Sequence, residues 1–188
     1  MTAVHALIIV HLSSLDAYPS TLVDEGLYPS DAEAATDDLG NEIASAIQAA
    51  ISRGERVYVI DQFWGANIRS GNVSSGTAAR YHASGAGGPN RDLVVNAIGN
   101  VQPQWIKFDE STSEWRRFLP WLRKQLVAAG VRSVTIGGLW WEPDEKSGCA
   151  FRVYDYLRSY FKVEVDVNIV GSVHDAQDHM WGRGYEDA

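Results

Sequence analysis

The run ALIIV, residues 6–10, is uninterrupted apolar sequence, too short for an ordinary helix and without the polar alternation of a half-exposed strand. Such a run marks a strand buried on both faces, which requires a covering layer above it and another below. RVYVI (56–60), QWIKF (104–108), SVTIG (133–137) and VEVDVNIV (163–170) are the other strand candidates.

Between the strands, apolar residues recur at helical spacing. Leu39, Ile43, Ala46, Ile47, Ala50 and Ile51 stand three and four apart, and Gly54 ends the run. Trp115, Phe118, Leu119, Leu122 and Leu126 form a second stripe, opened by a capping box at Ser111 and Glu114 and stopped at Gly130. Pro120 falls inside it, which predicts a short turn of helix followed by a second helix starting near the proline. Ala150, Val153, Tyr154, Leu157 and Phe161 form a third stripe. Strands alternating with helices imply right-handed crossovers, and predict a three-layer α/β/α architecture around a central, mainly parallel sheet.

The 188 residues predict one domain over 1–188, with no repeat and no linker. Residues 68–90, IRSGNVSSGTAARYHASGAGGPN, form a long Gly/Ser/Ala-rich loop, read as a lid, an interface arm or a mobile segment. GAGGPN completes neither of the common phosphate-binding glycine patterns. A net charge of −8 argues against general nucleic-acid binding, which draws its affinity from cations meeting phosphates. The one basic cluster, RRFLPWLRK at 116–124, fits the solvated face of a helix. No apolar run reaches membrane-spanning length, and MTAVHALIIVHLSS lacks a basic leader. The chain holds a single cysteine, so no intrachain disulfide forms, and the expectation is a cytoplasmic protein.

In a sheet of this kind, ligands bind beyond the carboxyl ends of the strands. His11, Asp61, Lys107 and the loop from Gly138 to Gly148 stand there. Cys149 follows, where the acidic stretch EPDEKSG runs into the third helical stripe. A thiol at a helix start meets the positive end of the macrodipole and unpaired backbone N–H groups, which stabilise the nucleophilic thiolate. The same N–H groups are suited to hold the oxyanion formed when a thiolate attacks a carbonyl. The competing reading is packing, because cysteine is among the most buried residue types.

ALIIVHLSSLD and the run from Lys107, KFDESTSEWRRFLPWLRKQLVAAGVRSVTIGG through GCAFRVYDYLRSYFKVEVDVNIVGS, together resemble the isochorismatase-like cysteine hydrolase superfamily, which includes nicotinamidases and other small amidases. The order and spacing of the pieces carry the likeness. It implies an Asp, Lys and Cys triad in which aspartate takes the thiol proton, lysine holds the charges and cysteine forms a covalent intermediate. Cys149 and Lys107 fall on triad positions, whereas His11 stands where the aspartate would be. GGLWWEPDEKSGC is several residues longer than the family's loop. The resemblance further implies a small amide, ester or other C–N substrate, no cofactor, and a homo-oligomer of two or more copies.

Two readings of His11 stand side by side. In one it replaces the aspartate as base, forming a Cys–His pair. In the other it is a satisfied strand-end histidine in a non-catalytic relative that keeps the pocket for binding or assembly. Asp16, five residues on, and Asp61, at the end of the second strand, are spare carboxylates, either of which serves as base if the loop brings it near. Lys107 has a bland alternative, pairing with Asp109 or Glu110 in solvent.

Nicotinamidase-type relatives carry an Asp-x-His…His metal site after the second strand. DQFWGAN keeps Asp61 but shows Phe63 and Asn67 in place of the histidines, so no such metal is expected. In HDAQDH, His174 with Asp178 and Asp175 with His179 make two pairs that do not close a tetrahedral site, and the segment reads as a solvated helix. Among seven tryptophans, Trp64, Trp140 and Trp141 are placed to wall a pocket for a planar or apolar ligand, with burial or a subunit contact as the alternative. Trp105, Trp115 and Trp121 are assigned to core or interface.

Overall fold

Ala6, Ile8 and Val10 pack into one apolar layer and Leu7 and Ile9 into the other, so the first strand, β1 (Val4–Val10), is buried on both faces as its composition requires. The computed structural model describes residues 4–12, 15, 18–62, 73–75, 104–108 and 112–171, with the backbone alone at 61–62, 73–75, 104–108 and 112–117. After β1 come α1 (Tyr18–Asp24), α2 (Pro29–Ser52), β2 (Arg56–Gln62), β3 (Val73–Ser75) and β4 (Gln104–Phe108). They are followed by α3 (Thr112–Ala128), β5 (Val131–Leu139), α4 (Cys149–Leu157) and β6 (Lys162–Gly171).

The sheet has six strands in the order β3-β4-β2-β1-β5-β6. All neighbours pair in parallel except β3, which runs antiparallel to β4 at one edge. Leu22 of α1 and Ile43 and Ile47 of α2 join the layer that holds Leu7 and Ile9. Phe118, Leu122 and Leu126 of α3, with Ala150, Val153 and Leu157 of α4, join the opposite one. The chain is therefore a three-layer α/β/α structure around a mainly parallel sheet. Fully burying one such Leu or Ile side chain contributes about 1.5–3 kcal/mol, so these two layers are the principal source of stability.

Topology fixes where a ligand belongs. From β1 the chain winds outward through β2 with α1 and α2 on one face. From β4 it crosses back over β2 and β1 and continues through β5 to β6, with α3 and α4 on the other face. Right-handed crossovers demand this change of face when the winding direction reverses. The connections leaving the adjacent strands β1 and β5 thus diverge, and open a crevice at the carboxyl ends of those two strands.

Several expectations are corrected. α3 runs unbroken through Pro120. Its buried residues Phe118, Leu122 and Leu126 bracket the proline, so burying them outweighs the backbone hydrogen bond that the ring removes. α2 begins at Pro29, well before Leu39, with Pro at its first turn and Ala32 and Thr36 buried on the inner face. α1 was not expected at all. Within 68–90, Val73–Ser75 is strand rather than loop, paired with Gln104, Trp105 and Ile106 of β4. The remainder of 68–90 and Ser111 lie outside the described residues. No helix among the described residues is long and apolar enough to cross a membrane.

Candidate functional site

Register brings the ends of four strands into line. Val10 lies opposite Ile60 on β2 and Gly138 on β5, Ile60 lies opposite Ile106, and Asp61 lies opposite Lys107 on β4. His11, Asp61, Lys107 and the turn after Leu139 therefore share the carboxyl edge of the sheet. Parallel pairing at this register places the Asp61 and Lys107 backbones side by side.

His11 leaves β1 in the left-handed region, at φ 57°. Its backbone N–H donates to the Ile60 carbonyl at 2.7 Å, which ties the turn to β2. The side chain is 1% exposed, and burial pushes the imidazole down to about 4. Taking water away from the imidazolium costs more than taking it from the neutral ring, so His11 is neutral at physiological pH.

On β5 the backbone is equally constrained. A Cβ on Gly138 (φ 108°) would meet the Val10 carbonyl oxygen at 2.1 Å and the Val10 nitrogen at 2.4 Å, so only glycine lets β1 and β5 approach here. Trp140 is left-handed at φ 66°. Of the three described non-glycine residues with positive φ, His11 and Trp140 follow directly on β1 and β5, and the third, Lys146, lies in the next loop. Strained backbone of this kind costs about 1–3 kcal/mol per residue and gathers where a site is being shaped.

The loop to α4 disposes of its surplus length locally. Glu142 bridges Ser147, the Ser147 N–H donates to the Glu142 carbonyl at 3.0 Å, and the Lys146 N–H donates to the Pro143 carbonyl at 3.2 Å. Residues 142–147 are thus a closed excursion. At its base the Trp141 N–H donates to the Gly171 carbonyl at 3.1 Å, anchoring the loop to the end of β6. Gly148 returns directly onto Trp140: at φ 82° and ψ 159°, a Cβ there would lie 2.0 Å from the Trp140 carbonyl oxygen.

Cys149 is the first residue of α4. The Gly148 carbonyl accepts from the Arg152 N–H at 3.1 Å, so the helix starts cleanly and the N–H groups of its first turn have no intrahelical acceptor. The thiol is half-buried, packed at the margin of the layer that holds Ala150 and Val153. A close succession of contacts, Val10 on Gly138 and Trp140 on Gly148, therefore sets the start of α4 beside the carboxyl end of β5, the strand next to β1. The arrangement is suited to covalent chemistry at a carbonyl, with a thiol and helix-start donors beside a sheet edge that bears a cationic and a carboxylate residue.

The two tryptophans of the loop part company. Trp140 packs into the α1/α2 layer, with its ring edge-on to Tyr18 at 5.8 Å. Trp141 packs into the α3/α4 layer, with its ring 5.6 Å from Phe151 and 5.3 Å from Tyr154. They do not face one another across a common pocket. Trp64, Asp16, Phe63, Asn67, Asp109, Glu110 and residues 174–179 lie outside the described residues. Among the described residues, no group of three or more His, Cys, Asp or Glu side chains is placed to hold a metal ion. The sequence marks Gly138 and Gly148 only as the bounds of this loop; their close contacts with Val10 and Trp140 come from the fold, and the only signal for the second is a glycine standing immediately before the helix-start cysteine.

No family model and no curated protein sequence matches the chain. Solved structures do. A nicotinamidase of Bacillus subtilis aligns over 95% of this chain and 95% of its own, at TM-score 0.56 and 14% identity. A protein of Burkholderia xenovorans assigned as an isochorismatase aligns over 92% of this chain and 69% of its own, at TM-score 0.55 and 17% identity. The fold is isochorismatase-like. A pyrazinamidase/nicotinamidase of Streptococcus mutans gives the same alignment over 95% of this chain and 96% of its own, at TM-score 0.52 and 13% identity. At such identities the likeness establishes architecture, and within this isochorismatase-like fold the chemistry rests on the residues at the sheet edge.

Proposed function

We propose that the chain is a divergent cysteine hydrolase of a small amide, ester or other C–N substrate. What supports this reading is that Gly148, seated on Trp140, starts α4 at Cys149 beside the end of β5, while Asp61 and Lys107 stand in register at the carboxyl ends of β2 and β4 of the same sheet. In the proposed cycle the Cys149 thiolate attacks the substrate carbonyl, and the first-turn N–H groups of α4 hold the oxyanion. The C–N or C–O bond then breaks, the leaving group takes the proton that the thiol gave up, and water hydrolyses the thioester to release the acid and restore the thiol. Lys107 balances the negative charge.

The base follows from charge arithmetic. Aspartate becomes neutral when it takes a proton, so a buried site favours the transfer. Histidine becomes cationic, and the burial that holds His11 near 4 opposes it. We therefore assign the proton to Asp61, and to His11 the part of a neutral wall.

His11 also favours a second reading. A buried, neutral histidine at the position of the family's aspartate is what a non-catalytic binding or assembly relative would carry. Turnover separates the two. A panel of small primary amides and esters is incubated with wild type and Cys149→Ala, and the protein is examined by intact-mass spectrometry after an acid quench. Hydrolysis with an acyl adduct on wild type, absent from Cys149→Ala, is the outcome expected of the hydrolase. Equal ligand binding by both proteins with no turnover is the outcome expected of the binding protein.

A further inference from the structure

On the outer side of α4, away from the crevice, a groove of about 420 Å³ runs along the helix beside Leu119 of α3. We propose that this groove is a second binding site, independent of the cysteine reading, for a small aromatic anion: a planar ring that carries a carboxylate or a phosphate.

The chemistry of the lining is divided along the helix axis. Lys146 and Arg152 stand at the end nearest the start of α4, and Tyr156 and Tyr160 continue the strip at four-residue spacing. Among the described residues neither Lys146 nor Arg152 is engaged in an ion pair. The one acid in the lining, Asp155, is already taken, its carboxylate accepting from Arg158 at 2.8 Å. Two cations without an ion pair among the described residues therefore line one end of the groove, in a chain whose net charge is −8. The positive end of the α4 dipole adds to the same potential.

Lys146 is held in place. It sits in the left-handed region at φ 52°, inside the turn closed by the Glu142–Ser147 bridge. A lysine in that conformation is locally strained, and the closed turn fixes its backbone. At the other end the lining is aromatic and braced. The Tyr156 and Tyr160 rings lie 5.3 Å apart, and the Arg123 guanidinium stacks over Tyr160 at 4.4 Å. Phe151 is backed by Trp141 at 5.6 Å. A ring lying along Phe151 and Tyr156 would bring an anionic head to Lys146 and Arg152. The volume falls within the range of about 300–1,000 Å³ usual for small-molecule sites.

The test is isothermal titration calorimetry of the full chain with phenyl phosphate, benzoate and cyclohexanecarboxylate. Phenyl phosphate against benzoate distinguishes a phosphate from a carboxylate head, and benzoate against cyclohexanecarboxylate tests for the planar ring. The variant Lys146→Asn with Arg152→Gln removes both cations while asparagine tolerates the left-handed backbone; its thermal melt confirms that it folds. The expected results are binding of at least one aromatic anion and at least about tenfold weaker affinity in the double variant. The proposal is overturned if wild type binds neither aromatic probe, or if the double variant binds as tightly as wild type and so moves the ligand elsewhere.

Discussion

Gly148 lies against Trp140 so closely that a Cβ on the glycine would fall 2.0 Å from the tryptophan carbonyl oxygen. This contact returns the chain to Trp140 at the foot of the 142–147 excursion, and fixes where α4, and with it Cys149, begins. The backbone at Gly148 also occupies a region, φ 82° and ψ 159°, that is essentially reserved for glycine. Gly148→Ala is therefore expected to cost at least about 2 kcal/mol, read as a lower urea midpoint. It should also return Cys149 to ordinary thiol reactivity. Wild-type stability together with wild-type reactivity would show that the contact positions nothing.

Gly138 makes the corresponding contact between strands, its missing side chain leaving room for the Val10 backbone. No flexible atom is there to yield. Gly138→Ala should separate the ends of β1 and β5 and cost about 3 kcal/mol or more, seen as loss of soluble protein or a large fall in melting temperature. A melt within a degree or two of wild type would contradict the close approach.

His11 predicts a pH dependence whose sign follows from burial. Its imidazole titrates near 4 in the folded protein and near 6.5 when unfolded. Between those values the unfolded chain binds the extra proton, so the contribution of neutral His11 is intact above about 6.5 and is lost as pH falls toward 4. The full effect is on the order of 3 kcal/mol. His11→Asn keeps a residue that accepts a left-handed backbone and removes the titration. Urea denaturation across pH 4–7 should show a shallower acid decline in the variant than in wild type. Parallel curves would mean that the ring is not desolvated.

Pro120 interrupts the hydrogen-bond ladder of α3 without ending the helix. Replacing it with alanine restores a donor and removes the ring. Pro120→Ala should raise stability by about 1–3 kcal/mol, checked by the urea midpoint. A destabilised variant would mean that the proline ring packs usefully.

The strands were legible because burial on both faces leaves a chemical trace: ALIIV is wholly apolar, and VYVI after the exposed Arg56 carries only a tyrosine hydroxyl as a polar group. The long helix was legible only where its apolar period was dense. Its first part, from Pro29 to Asp38, is mostly acidic and small, with Ala32 and Thr36 buried and Ala35 packed partly against the core. Pro120 misled because local propensity was weighed without the buried residues on either side. At the site, the positions of His11, Asp61 and Lys107 along one sheet edge followed from strand ends alone, and that of Cys149 at a helix start from the apolar stripe that follows it. The left-handed turns did not, since a positive φ is uncommon at any non-glycine residue and nothing adjacent to His11 or Trp140 signals one. Nor did the parting of Trp140 and Trp141, which depends on where the chain crosses the plane of the sheet.

The most direct test of the account is the rate of Cys149 alkylation by iodoacetamide as a function of pH, followed by intact mass. One cysteine in the chain makes every adduct unambiguous. A thiol seated on the first turn of α4 should show a midpoint below about 7.5, with appreciable reaction at pH 6–7. A midpoint near about 8.5, the value of an ordinary thiol, would contradict an activated nucleophile and leave the isochorismatase-like fold without this chemistry.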